Sequence, residues 1–160
     1  MEQNKEKIIR NLRRGSICFT AACFLLMLVN LSGAVLALML EPFFKMQAGT
    51  RFQAVEISTV FAINALCLLL AALMFVRIAK DSRPFTPKNV RAVRSIGILF
   101  LLGSFCPALA GNLITGFVLV GNMEQRYFRP NMLIAGVILL FVAYIMHYGA
   151  ALQQESDETL

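Results

Sequence analysis

Few side chains in this sequence are suited to chemistry, and their spacing limits what each can do. The thiols are Cys18, Cys23, Cys67 and Cys106, and no two form a Cys-x-x-Cys pair. Cys18 and Cys23 fall on different faces of a helix, whereas a thiol redox centre needs a reactive pair near an aqueous surface. Cysteines in such apolar settings behave as small hydrophobes. His147 is the only histidine, placed near the end of an apolar stretch where an interfacial imidazole is ordinary. There is no His-Glu-x-x-His, no glycine-rich phosphate loop and no carboxylate pair inside an apolar run. No stretch therefore brings acid, base and nucleophile together, and the expectation is a non-enzymatic protein without cofactor or metal.

Three asparagines, Asn30, Asn64 and Asn112, each interrupt a different apolar stretch. At ~1.5 Å per residue they lie roughly 10–15 Å inward from the same ends of those helices. They are expected to form a polar layer with Ser32 and Thr115 nearby. Such a layer serves either interhelical hydrogen bonding, worth about 0.6 kcal/mol per bond, or a pocket for a small solute.

The elements that position these residues follow from composition. Of 160 residues, 58% are hydrophobic and 15% charged, with a mean hydropathy of +0.70. Soluble domains of this size carry about 45–50% apolar and about 25% charged residues. The excess gathers into four runs, at about 15–40, 57–76, 95–121 and 132–151. Crossing the ~30 Å hydrocarbon core takes roughly 20 helical residues. No run alternates polar and apolar positions as a barrel strand does, and backbone groups in lipid must bond within their own segment. The first run is about twice the ~7–15 residues of a signal peptide core, so it is expected to be a retained helix. The fold class is all-α: one integral membrane domain over residues 1–160, a four-helix bundle. Pro107 is expected to kink the third helix by depriving the Gly103 carbonyl of its donor.

Orientation follows from charge. Eleven of the fifteen basic residues lie in residues 1–14 and in the 77–94 loop, on one side of the bilayer. The positive-inside rule makes that side, and both termini, cytoplasmic. The net charge of +6 then reads as a topology signal that also attracts anionic lipid, not as direct nucleic-acid binding.

The cytoplasmic side holds the most distinctive residues. Thr86 followed by Pro87 is a helix start, a hydroxyl cap and then proline at the first helical position. From there Val90, Val93 and Gly97 share one face, and Lys88, Arg91 and Ser95 another. Phe85 is placed to pack back as the apolar part of a staple. Residues 152–160 form a tail with Glu155, Asp157 and Glu158, and a tail-to-loop contact is expected, for example Glu155 or Asp157 with Arg91 or Arg94, worth ~0–1 kcal/mol per pair if exposed.

Two segments carry a family resemblance: Pro84-Phe85-Thr86-x-x-Asn89-Val90-x-x-Val93-Arg94-x-Ile96-Gly97, and Gly149-x-x-Leu152-Gln153-x-Glu155-x-Asp157-x-Thr159. With the span count, they make the whole chain resemble a family of small bacterial four-span membrane proteins, domain of unknown function 2975. The family's closing motif commonly reads Leu-Gln-Glu-Glu-x-Asp-Leu-Thr, from which this chain departs at Gln154 and Glu158. The resemblance brings no catalytic residues. It implies a multi-pass protein of the bacterial inner membrane, often encoded beside a small helix-turn-helix regulator.

The expected function is a sensor or tether whose cytoplasmic face (Phe85, Thr86, Asn89, Arg91, Arg94, Gln153, Glu155 and Asp157) engages a cytosolic partner such as that regulator. The alternative is a small transporter, exporter or immunity-type protein using the Asn30, Asn64 and Asn112 layer. Four helices are few for a conduction pathway, which leaves a homo-oligomer open.

Overall fold

The computed structural model describes the backbone of residues 2–40, 48–115 and 129–158, and the side chains of residues 6–39, 55–106, 129–152, 154 and 155. It consists of α1 (Glu2–Leu40), α2 (Ala48–Asp81), α3 (Pro87–Thr115) and α4 (Pro130–Glu158). α1, α2 and α4 each contain one of the four apolar runs and α3 contains most of the third; each is long and apolar enough to cross a bilayer, so this is an all-α, multi-pass membrane protein. The 29 to 39 residues per helix correspond to about 43–58 Å, so the helices outrun the hydrocarbon at their ends. Proline stands at the first position of α3 and of α4, where its missing N–H costs nothing. α3 runs unbroken through Pro107.

Two expected connections are shorter than the composition indicated. The 77–94 loop shrinks to residues 82–86, because α2 continues to Asp81 and α3 starts at Pro87. The acidic segment from residue 152 is the last two turns of α4, helical to Glu158, and not a separate tail. Both follow from cooperativity: extending an existing helix by a turn avoids the nucleation cost. Part of the third expected span, 116–121, and the 41–47 and 116–128 connections lie outside the described residues.

The helices pack in chain order. Among the described residues the backbones of α1 and α2, of α2 and α3 and of α3 and α4 approach closely, and those of non-neighbouring helices do not. The four-helix bundle is thus laid out as an open row. α1 and α2 run antiparallel: Phe19 stacks on Phe75 with ring centroids 5.2 Å apart, the Phe61 ring covers Gly33, and Ser58 Oγ donates to the Ala34 carbonyl at 3.1 Å. α3 and α4 meet through Gly97 and Gly136. A Cβ on Gly136 would stand 2.9 Å from the Gly97 carbonyl oxygen, the close backbone approach that small residues give membrane helices.

Among the described residues the buried apolar side chains, including Ala65, Cys67 and Ala72 of α2, Val93 and Ile96 of α3 and Ala143 of α4, all belong to the last three helices. None of the apolar window of α1 is buried, against 44% of that of α3. Outward-facing Leu25 and Phe141, both more than 60% exposed, would be an aggregation hazard in water. In a bilayer they meet acyl chains.

Candidate functional site

The end of the molecule that carries most basic residues is built around the 82–86 connection. Ser82 closes α2 in the left-handed conformation, φ 54°, with its N–H bonded to the Ile78 carbonyl at 2.8 Å. This is the single-bond helix stop that glycine usually supplies. Four residues later Thr86 opens α3: its Oγ1 accepts the Asn89 N–H at 3.3 Å, as its position before Pro87 predicts.

Asn89 fastens the connection from within. It is only 1% exposed, and its Nδ2 donates to the Pro84 carbonyl at 3.1 Å and the Arg83 carbonyl at 3.4 Å. Its Oδ1 is buried without a hydrogen-bond partner. Two loop carbonyls are thereby satisfied by one side chain that a helix turn holds in place. The first turns of α3 divide as their spacing requires, with Val90, Val93 and Gly97 buried and Lys88, Arg91 and Ser95 exposed.

The two motif segments, 84–97 and 149–159, converge. The Phe85 ring lies against Gly149 of α4, where a Cβ would stand 3.4 Å from it. Beside this contact opens a pocket of about 610 Å³, within the usual range for small-molecule sites. The connection contributes Arg83, Phe85 and Thr86, α3 contributes Pro87, Val90, Arg91 and Arg94, and α4 contributes His147, Ala150, Ala151 and Gln154. No acidic side chain among the described residues lines it. Arg91 and Arg94, both exposed, form no ion pair among the described residues. The expected pairing of Glu155 with either arginine is therefore not made. Arg83, Gln154 and Glu155 are engaged in polar contacts of their own. The side chains of Gln153 and Asp157 lie outside the described residues.

Of the expected interaction face, Phe85, Thr86, Arg91 and Arg94 line the pocket and Asn89 supports it from behind. Arg83 and Gln154 fall within the expected stretch, which ran from Arg83 to Gly97 and took in the acidic segment from residue 152, whereas His147, Ala150 and Ala151 of α4 were not expected there. Their signal is helical spacing: positions 147, 150, 151 and 154 form one stripe of α4, legible once the helix is known to extend past residue 152.

The asparagine layer is only partly assembled. The antiparallel register of α1 and α2 sets Asn30 and Asn64 at one level, three residues beyond the Gly33–Phe61 contact on each helix. Asn30 Nδ2 donates to the Leu26 carbonyl of its own helix at 2.8 Å. Gly103 of α3 packs beside Ile63, so position 112 lies nine residues further on, roughly 13 Å from that level. The Asn112 side chain is outside the described residues.

At the opposite end stands a constellation that sequence spacing did not reveal. Arg129 Nη2 donates to Glu56 Oε1 at 2.8 Å. Its backbone N–H reaches the Ser104 carbonyl at 3.3 Å, and the Ser104 hydroxyl returns a 3.2 Å bond to the Arg129 carbonyl. Three elements, α2, α3 and the start of α4, are clasped there. The four cysteines are free thiols.

No curated protein and no solved structure matches the chain. A family model does, over residues 46–160. That match omits the whole of α1, narrower than the whole-chain resemblance expected, but it includes every residue of the pocket. Pocket, capped connection and the helices that frame them thus fall within one family unit, and the chain belongs to the family described as Protein of unknown function (DUF2975).

Proposed function

We propose that this protein is a non-enzymatic sensor or tether of the bacterial inner membrane whose pocket-bearing end faces the cytoplasm and engages a cytosolic partner. The orientation rests on the eleven basic residues gathered at that end. The observation that carries the reading is the convergence of the 83–94 and 147–154 segments on one recess. That recess presents two guanidinium groups without ion-pair partners among the described residues. Uncompensated charge at the rim of a concave site steers and selects an oppositely charged partner. A small helix-turn-helix regulator is the partner that the bacterial family suggests. A transporter, exporter or immunity-type role has less support, because Asn112 lies well away from the Asn30–Asn64 level.

The test is affinity purification from native membranes of the wild type and of the Arg91→Ala/Arg94→Ala variant. The wild type is expected to retain a cytosolic protein that the variant loses while inserting and folding normally. Equal retention by the folded variant overturns the reading.

A further inference from the structure

The pocket at the basic end has the makings of a ligand site in its own right. Arg91 and Arg94, three residues apart on α3, project from one face of the helix and line a recess shared with His147 of α4. Phe85, Val90 and Ala150 supply apolar wall beside them. The α3 N-terminus also opens here and adds a positive dipole end. Its donors contribute little: Pro87 has none, and Thr86 Oγ1 takes the Asn89 N–H. Recognition therefore falls to the guanidinium groups, whose planar forks match phosphate oxygens. A cationic recess with no acidic side chain among the described residues, half walled by apolar side chains and set where α3 and α4 leave the bilayer, fits a phosphate-bearing anion with an apolar neighbour.

We infer that this pocket binds a phosphate group through Arg91 and Arg94, delivered either by an anionic phospholipid headgroup or by a soluble phosphorylated molecule. The inference uses the face assigned above to partner binding but needs no partner, so the two stand or fall separately.

Full-length protein in phosphatidylcholine nanodiscs is titrated with inorganic pyrophosphate for the soluble source. For the lipid source, delipidated protein in neutral detergent is titrated with phosphatidylglycerol and followed by native mass spectrometry. Saturable binding is expected in at least one arm, weakened about tenfold or more in Arg91→Gln/Arg94→Gln. It is retained in Lys80→Gln/Lys88→Gln, which removes the same charge from exposed positions outside the pocket. Ala151→Glu, at an exposed helical position, places a carboxylate in the recess and abolishes binding without removing an arginine. Absence of saturable binding in both arms overturns the inference, as does equal weakening in the two charge-removal variants. Absence of saturable anion binding by the wild type, alongside partner capture that depends on Arg91 and Arg94, would overturn this inference and leave the partner reading standing.

Discussion

Arg129 Nη2 lies 2.8 Å from Glu56 Oε1, an ion pair whose carboxylate side chain is 11% exposed and whose guanidinium side chain is 37% exposed. The two residues are 73 positions apart, and α3 runs between the elements that bear them. The pair reaches from α2 to the start of α4, two helices whose backbones do not approach closely among the described residues, which gives it a bracing role. Removing either member leaves the other charge near lipid without compensation.

Glu56→Gln and Arg129→Gln are each expected to lower stability, by at most about 3 kcal/mol given the partial exposure of the guanidinium. The exchange Glu56→Arg/Arg129→Glu should recover part of that loss. Thermal unfolding in detergent micelles checks both. Equal stability of the single variants and the wild type would remove the bracing role.

Gly136 leaves no room for a side chain, since a Cβ there would stand 2.9 Å from both the Gly97 carbonyl oxygen and a Leu101 methyl group. Gly136→Ala must part α3 from α4, with an expected loss of about 1–3 kcal/mol. Gly15 offers the contrast, with nothing within 4 Å of the same added atom. Gly15→Ala is expected to gain about 0.5–1 kcal/mol from helix propensity alone. Opposite signs in the same unfolding assay are the required result.

Asn89→Leu removes the donor that satisfies the Arg83 and Pro84 carbonyls and frees the 82–86 connection from α3. A loss of about 1–3 kcal/mol is expected, together with weakened binding at the pocket that Arg83 and Phe85 help to line. Asn89→Asp fares no better, because a buried carboxylate would face those two carbonyl oxygens in place of an amide donor. Hydrogen exchange of residues 83–90 reads the loosening directly.

Ser82 holds a left-handed φ of 54°, which costs an L-residue roughly 1–2 kcal/mol. Ser82→Gly relieves the strain and should stabilise the protein by up to about 1 kcal/mol, net of glycine's larger unfolded-state entropy. Ser82→Val should destabilise it by at least as much. A stabilised Ser82→Val variant would contradict the geometry.

The amino-acid sequence by itself determined four membrane-spanning helices, the start of α3 at Thr86 and Pro87, and the split of its first turns into buried Val90 and Val93 and exposed Lys88 and Arg91. These depend on local hydrophobic runs, caps and a 3.6-residue period, all contained within one segment. Only the tertiary structure decided which helices touch. Helix register against a neighbour depends on contacts such as Gly97 with Gly136 and Phe61 with Gly33, and neither residue of such a pair signals the other from a distance in the chain. Register left Asn112 away from Asn30 and Asn64, joined Arg129 to Glu56 over 73 residues, and set His147, Ala150 and Gln154 across from Arg91 and Arg94. The charges at the basic end were legible in the chain, but the recess they line exists because Gly149 lets Phe85 rest against α4.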